Sequence, residues 1–170
     1  MKKFVGILKD KPIIANAIVL AVVILQYFMF PNTWNPLLRD LGLETISDLT
    51  TIYSTVLSVA AIQSAFAGVI VVFGLSTQPS AFAVLRRTAG EALVDNWLSI
   101  SNSGFLSAGF SLAALLTLHM GAARISPWIF EYAVLVCAHG IIRLLWLLKQ
   151  LIRVIGKVDI AEQKKQMEIS

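Results

Sequence analysis

Four long apolar segments, separated by polar or proline-containing stretches, constrain the fold of this chain more than any other feature. They cover approximately residues 13–30, 51–75, 97–118 and 128–148. Each is long enough to cross a hydrocarbon layer of about 30 Å as a helix that rises about 1.5 Å per residue. Composition agrees, because 57% of the residues are hydrophobic and only 14% are charged, against about 25% charged in soluble domains. The sequence therefore predicts an all-α integral membrane protein, a four-helix bundle forming a single domain over residues 1–170.

The basic residues predict the orientation of the four crossings. With four crossings, residues 1–11, 78–96 and 143–170 share one side and contain twelve of the 14 Lys and Arg residues. Arg39 and Arg124 fall on the other side. Because Lys and Arg accumulate in cytoplasmic segments, both termini are expected in the cytoplasm. The membrane is expected to be the bacterial inner membrane. The first apolar segment is longer than a typical signal-peptide core, so a retained anchor is expected.

Two cytoplasmic segments are expected to be helical. The loop over residues 78–96 has apolar residues at helical spacing and pairs Arg87 with Glu91 four residues later, so it can lie along the inner membrane surface. The fourth apolar segment continues without proline into a charged tail, residues 149–170, which predicts one long helix leaving the membrane. The candidate surface for a soluble protein partner comprises Arg86, Arg87, Glu91, Arg153, Lys157, Lys164 and Lys165.

The third crossing carries serines at strict four-residue intervals, which place them on one helical face. Small residues let helices approach closely and hydroxyls can bond between helices, so this face indicates close packing. A polar lining for a water-filled path is the alternative. Amides in the first two crossings are also expected to form interhelical hydrogen bonds and to fix how protomers associate. The residues assigned to helix packing or oligomerisation are Ser99, Ser103, Gly104, Ser107, Ser111, Gln63, Asn16 and Gln26.

Three ionisable side chains lie in the fourth crossing, where their high energy in lipid suggests a function. Glu131 lies about one turn inside the outer interface, where water or the neighbouring Trp128 and Tyr132 can satisfy its carboxylate. Arg143 can extend towards the cytoplasmic headgroups. His139 precedes it by four residues on the same face, and we expect a neutral, packed imidazole there rather than a proton relay.

No catalytic constellation is visible in the sequence. There is no HExxH, no glycine-rich phosphate loop after a strand and no pair of carboxylates on one helical face. The single cysteine, Cys137, excludes an intramolecular disulfide and a cysteine-rich metal motif. We therefore expect no enzyme activity, catalytic residue, metal or cofactor, and no direct binding of nucleic acid.

In plan the chain resembles the KwaA family, the membrane subunits of the bacterial Kiwa antiphage system. The likeness lies in the chain length, the four crossings, the basic tail, the start Met1-Lys2-Lys3 and the Ser- and Gly-rich segment Leu98-Ser99-Ile100-Ser101-Asn102-Ser103-Gly104. The resemblance implies a homo-oligomer, a tetramer, in the inner membrane. It also implies that the protein senses phage attack and works with a soluble DNA-binding partner.

Two functions remain open from the sequence. The first is an oligomeric inner-membrane sensor or scaffold that signals to a cytoplasmic effector, in antiphage defence as the resemblance implies; membrane lipid, further copies of the chain and the effector are its partners. The alternative is a small oligomeric ion-conducting pore or transporter subunit, motivated by the serines of the third crossing. Absence of recognisable chemistry favours the first, because a scaffold needs surfaces and no reactive groups.

Overall fold

The computed structural model describes residues 12–43, 45–76 and 80–169, which form five helices and no strand. In chain order the helices are α1 (Pro12–Met29), α2 (Trp34–Asp40), α3 (Ile46–Ser76), α4 (Ser80–His119) and α5 (Ser126–Ile169). The all-α fold class that the sequence predicts is confirmed for this part of the chain.

Three helices contain stretches that are long and apolar enough to cross a membrane, and these are Ile46–Val69, Trp97–His119 and Ser126–Lys149. The count rises to four if α1 and α2, which meet at 93°, are taken as one bent span. The first apolar segment, about 13–30 in the sequence, corresponds to α1, which ends at Met29. By itself α1 has a rise of about 26 Å, slightly less than the hydrocarbon thickness.

The helix boundaries follow from local sequence. Pro36 lies in the first turn of α2, where its missing N–H removes no helical hydrogen bond. Gly42, with a φ of +66°, ends α2, and the Leu43 N–H bonds back to the Leu38 carbonyl at 2.9 Å. This is a Schellman arrangement that only a residue tolerant of positive φ accepts readily. Thr45 and Asp48 then cap α3 reciprocally, each side chain accepting from the other's backbone N–H.

The continuity of α4 corrects one prediction. Residues 80–96, expected as a separate helix on the membrane surface, form one unbroken helix of 40 residues with the potential span that follows. No proline interrupts the backbone hydrogen bonds between Ser80 and Trp97, so the helix has no sequence signal to stop there. Helix α5 is likewise continuous over 44 residues, which confirms the prediction of one long helix over the fourth apolar segment and the tail.

Helix α4 is central to the described fold. It packs extensively on both α3 and α5, which contact each other over a smaller area, while α1 packs mainly on α5. Two apolar clusters lie near the loop that joins α4 to α5, and the first contains a stacked pair, Tyr53 and Phe130, with ring centroids 4.1 Å apart. The second joins Val23 of α1 to Trp128 and Tyr132 of α5. The outer face of α1 stays exposed, with Ile13 at 80% and Phe28 at 74%.

Candidate functional site

The serines of α4 point into the interior of one chain. Ser103, Ser107 and Ser111 are each 1% exposed or less. Ser103 donates to the Ser99 carbonyl of its own helix at 2.9 Å, and Ser107 donates across to the Ala133 carbonyl of α5 at 2.8 Å. The Ser107 contact is that of a packing face, because its hydroxyl bonds to a backbone carbonyl of the neighbouring helix.

Helices α3 and α4 approach most closely at Gly104. Ser64 of α3 donates to the Ser101 carbonyl of α4 at 3.3 Å. A Cβ atom built on Gly104 would overlap the Ser64 hydroxyl and lie 3.0 Å from the Ala60 carbonyl oxygen. The backbone carbonyl cannot rotate away, so only glycine permits this separation. Helices α3 and α4, both rich in small residues at this point, therefore pack directly against each other.

Gln63 occupies the point where α3, α4 and α5 meet. Its side chain is 4% exposed, and its Oε1 accepts a hydrogen bond from Cys137 Sγ at 3.4 Å. A Cβ on Gly140 of α5 would overlap the Gln63 amide nitrogen and approach Ser103 Cβ to 3.2 Å. The Gln63 Nε2 has no hydrogen-bond partner among the residues that the structure describes. Gln63 therefore links helices of one chain, through a cysteine that sequence reasoning did not identify as its partner.

These contacts restrict the residues that can lie between copies of the chain. The buried set, which a second copy cannot reach while the fold is intact, comprises Ser103, Gly104, Ser107, Ser111 and Gln63. Of the remaining predicted residues, Asn16 and Gln26 are half-buried on α1. The Asn16 Oδ1 is enclosed and has no hydrogen-bond partner within the described ranges. The buried set accordingly acts in packing within one chain.

Arg143 differs from its expected placement. Its side chain is 7% exposed and donates from Nη1 to Ser99 Oγ at 2.7 Å. The guanidinium thus turns into the contact between α5 and α4, where the sequence suggested extension towards headgroups. His139, one turn earlier, is half-buried, and its Nδ1 is enclosed.

An aromatic corner fixes α2 against the start of α5. Trp34 donates from Nε1 to Glu131 Oε2 at 3.1 Å, and its ring contacts Trp128 edge-on with centroids 6.5 Å apart. The sequence placed Glu131 near Trp128 and Tyr132, whereas Tyr132 instead packs edge-on against Phe110 at 4.7 Å. The 93° turn between α1 and α2 brings Trp34 to the carboxylate. Since 97 positions separate the pair, no local sequence signal identifies it.

The Trp34→Phe variant tests this corner. Phenylalanine retains an aromatic ring against Trp128 and removes the N–H donor to Glu131. We expect α2 to loosen by about 1–3 kcal/mol, the cost of leaving a buried hydrogen-bond acceptor without its donor. Hydrogen exchange of the backbone amides over residues 34–43 should accelerate, while exchange over 100–115 stays unchanged. Equal protection of α2 in the variant and the wild type would contradict a stabilising role for the bond.

The predicted partner surface is only partly described. Arg153 is exposed on α5. The side chains of the other members, Arg86, Arg87, Glu91, Lys157, Lys164 and Lys165, lie outside the described part, although their backbones belong to α4 and α5. Residues 1–11 and 77–79 also lie outside it.

Within the described ranges, no group of three or more His, Cys, Asp or Glu side chains is placed to hold a metal ion. No family model, curated protein or solved structure matches the chain.

Proposed function

We propose that the chain is a multi-pass protein of the bacterial inner membrane, with four crossings and both termini in the cytoplasm. It acts as an oligomeric sensor or scaffold that signals to a soluble cytoplasmic effector. The observation that carries the proposal is the unbroken length of α5. Its potential span ends at Lys149, and the helix continues to Ile169, which adds about 30 Å of helix beyond the membrane.

A second helix extends on the same side. Helix α4 begins at Ser80, before its potential span starts at Trp97. Because α4 and α5 run in opposite directions through the membrane, the start of α4 and the end of α5 emerge together. A rigid helix transmits a shift in the membrane directly to the part outside it. The two extensions carry the predicted partner residues and form the surface that an effector would contact.

The buried polar residues favour the scaffold function over the alternative of a pore that runs through a single chain. Ser107 bonds to the backbone of α5, and Gln63 bonds to Cys137. A water-filled path would instead need such groups directed towards an open channel. Their use in packing gives a stiff set of helices, which suits transmission of a conformational change.

Charge along the end of α5 favours a protein partner at its far end. Arg153 lies close to the end of the span, where anionic lipid attracts each basic residue by about 1 kcal/mol. That attraction falls off within a Debye length of roughly 8 Å. Farther out, Asp159, Glu162 and Glu168 are interspersed with lysines, a mixture that a purely anionic surface does not explain. The resemblance to KwaA suggests antiphage defence as the process, a homotetramer as the assembly and a soluble effector as the partner.

Truncation after Val158 tests the proposal. The shortened chain should still insert and oligomerise, because the potential spans end at or before Lys149. It should no longer copurify a soluble effector in mild detergent, and it should lose protection of the cell against phage. Both readouts are needed, since a copurified protein alone does not establish signalling.

The matched control replaces residues 159–170 with a glycine–serine linker of equal length, which preserves chain length and removes the charges. It should fail in the same way as the truncation. If the truncated chain protects cells as well as the wild type does, the end of α5 is not the docking site, and residues 80–96 become the next segment to test. If the full-length chain neither protects cells nor recruits a soluble protein, the proposed function is wrong.

A further inference from the structure

An exposed stripe runs along α4 on the side opposite its serines. Its members recur at alternating intervals of four and three residues and are Leu98, Asn102, Phe105, Gly109, Leu112 and Leu116; we call them the Asn102 stripe. All six are exposed in the described fold, with Leu98 at 66% and Phe105 at 65%. At about 3.6 residues per turn they occupy an arc of about 80°, centred roughly 180° from the buried Ser103, Ser107 and Ser111.

Asn102 is the polar member of this stripe. It lies within the potential span Trp97–His119, and its side chain forms no hydrogen bond to any residue in the described ranges. In lipid an amide without a partner is unfavourable, because hydrocarbon offers neither a donor nor an acceptor. The exposed amide therefore needs a partner from outside its own chain.

A second copy of the chain supplies that partner at the correct depth. Copies inserted with the same orientation place Asn102 at the same depth, and a two-fold axis normal to the membrane brings two α4 helices together in parallel. The Asn side chain carries both a donor and an acceptor, so two of them are self-complementary.

The spacing of the stripe fits this arrangement. Alternation of four and three residues is the heptad pattern of helices that cross at about 20°, in water and in membranes alike. A single Asn within such a seam fixes register and partner number. Apart from its own helix backbone, a Cβ built on Gly109 meets no atom of the described residues within 4 Å, so this position leaves room for a neighbouring helix.

We propose that the Asn102 stripe is the interface between copies of this chain, with α4 packed in parallel against α4 and the Asn102 amides paired. The inference rests on membrane insertion as given under the proposed function and specifies one two-fold contact between copies, which a homotetramer would contain twice. It moves that contact from the serine face, which the single chain buries, to the opposite face of the same helix. If lipid or a different membrane protein covers the stripe instead, the tests below will show no contact between copies through it.

Disulfide cross-linking in native membranes locates the interface. Phe105→Cys places a thiol in the stripe and leaves Asn102 intact, and the natural Cys137 is buried, which keeps the background low. Oxidation should convert Phe105→Cys into covalent dimers. Ile142→Cys is the matched control, since Ile142 is 66% exposed on α5 and lies at a similar depth. No dimer from Phe105→Cys, or equal dimer from Ile142→Cys, overturns the proposal.

Energy transfer between labelled chains diluted in liposomes measures the strength of the contact. Asn102→Leu should raise the dimer dissociation constant about 3- to 30-fold, the effect of one interhelical amide hydrogen bond. Gly109→Leu, which fills space outside the chain, should weaken the dimer further. An unchanged constant in both variants rejects the stripe, whether lipid or another protein covers it.

These results are separable from the proposed function. If the chain forms covalent dimers but neither recruits an effector nor protects cells, the proposed interface stands and the proposed signalling function is wrong. Protection by a chain whose stripe gives no cross-link would retain signalling and reject the stripe.

Discussion

Replacing Gly104 with leucine should disrupt the packing of α3 on α4 and lower the free energy of unfolding by about 3 kcal/mol or more, the upper range for overpacking a close-packed interior. A Cβ at this position already lies 3.0 Å from the Ala60 carbonyl oxygen and 3.1 Å from the Ser64 nitrogen. Both are backbone atoms, so relief requires the helices to separate. Equilibrium unfolding in mixed detergent–SDS micelles measures the change.

Two further glycines calibrate this result. Gly68→Leu introduces the same side chain on α3 at a point where a Cβ meets no atom of the described residues within 4 Å beyond its own helix backbone, and it should alter stability little. Gly140→Ala overlaps the Gln63 amide, the far end of a flexible side chain, so its effect should lie below that of Gly104→Ala. Equal destabilisation by Gly104→Leu and Gly68→Leu would show that the close approach at Gly104 does not limit packing.

Cysteine labelling should place both termini on the same side of the membrane. Lys3→Cys and Gln163→Cys are expected to react with a membrane-impermeant maleimide only after the cells are opened. Asn35→Cys and Ala123→Cys, both at exposed loop or helix-end positions, should react when the reagent reaches the periplasm and the inner membrane is intact. The reason is the sorting of twelve basic residues to one side. Wild-type protein with its buried Cys137 is the background control.

The result decides whether α1 crosses the membrane. With α1 in the interface, the chain crosses three times, and Lys3→Cys and Gln163→Cys then label on opposite sides. That outcome would contradict the four-crossing proposal. Positions 42 and 121 are unsuitable as labelling sites because Gly42 and Gly121 have positive φ, where other residues are strained.

The sequence predicted the helices well because apolar length is a local property. The first, second and fourth apolar segments correspond to α1, α3 and the first part of α5, each shifted by a few residues. The third segment was also correct, but its extension back to Ser80 was missed as part of the same helix. A change in average polarity suggested a boundary near Trp97, whereas a helix stops only where hydrogen bonding is interrupted.

The candidate site was predicted less completely. Sequence spacing placed the serines of α4 on one face, and the structure buries three of them. Spacing does not distinguish packing against another helix of the same chain from packing against a second copy. Small residues favour close helix packing in both cases. The partner of Glu131 was missed for a different reason, since Trp34 reaches it only after α2 turns through 93°.

Composition and periodicity by themselves determined that the chain is helical and where its apolar helices lie, because hydrogen bonding and hydrophobic length act within a segment. Tertiary structure alone decided which polar groups meet. It turned Arg143 onto Ser99, joined Gln63 to Cys137 and left Asn102 on the outer face. Those pairings depend on how whole helices are rotated and how far apart they lie. The contacts of the entire fold determine both quantities, and no single segment encodes them.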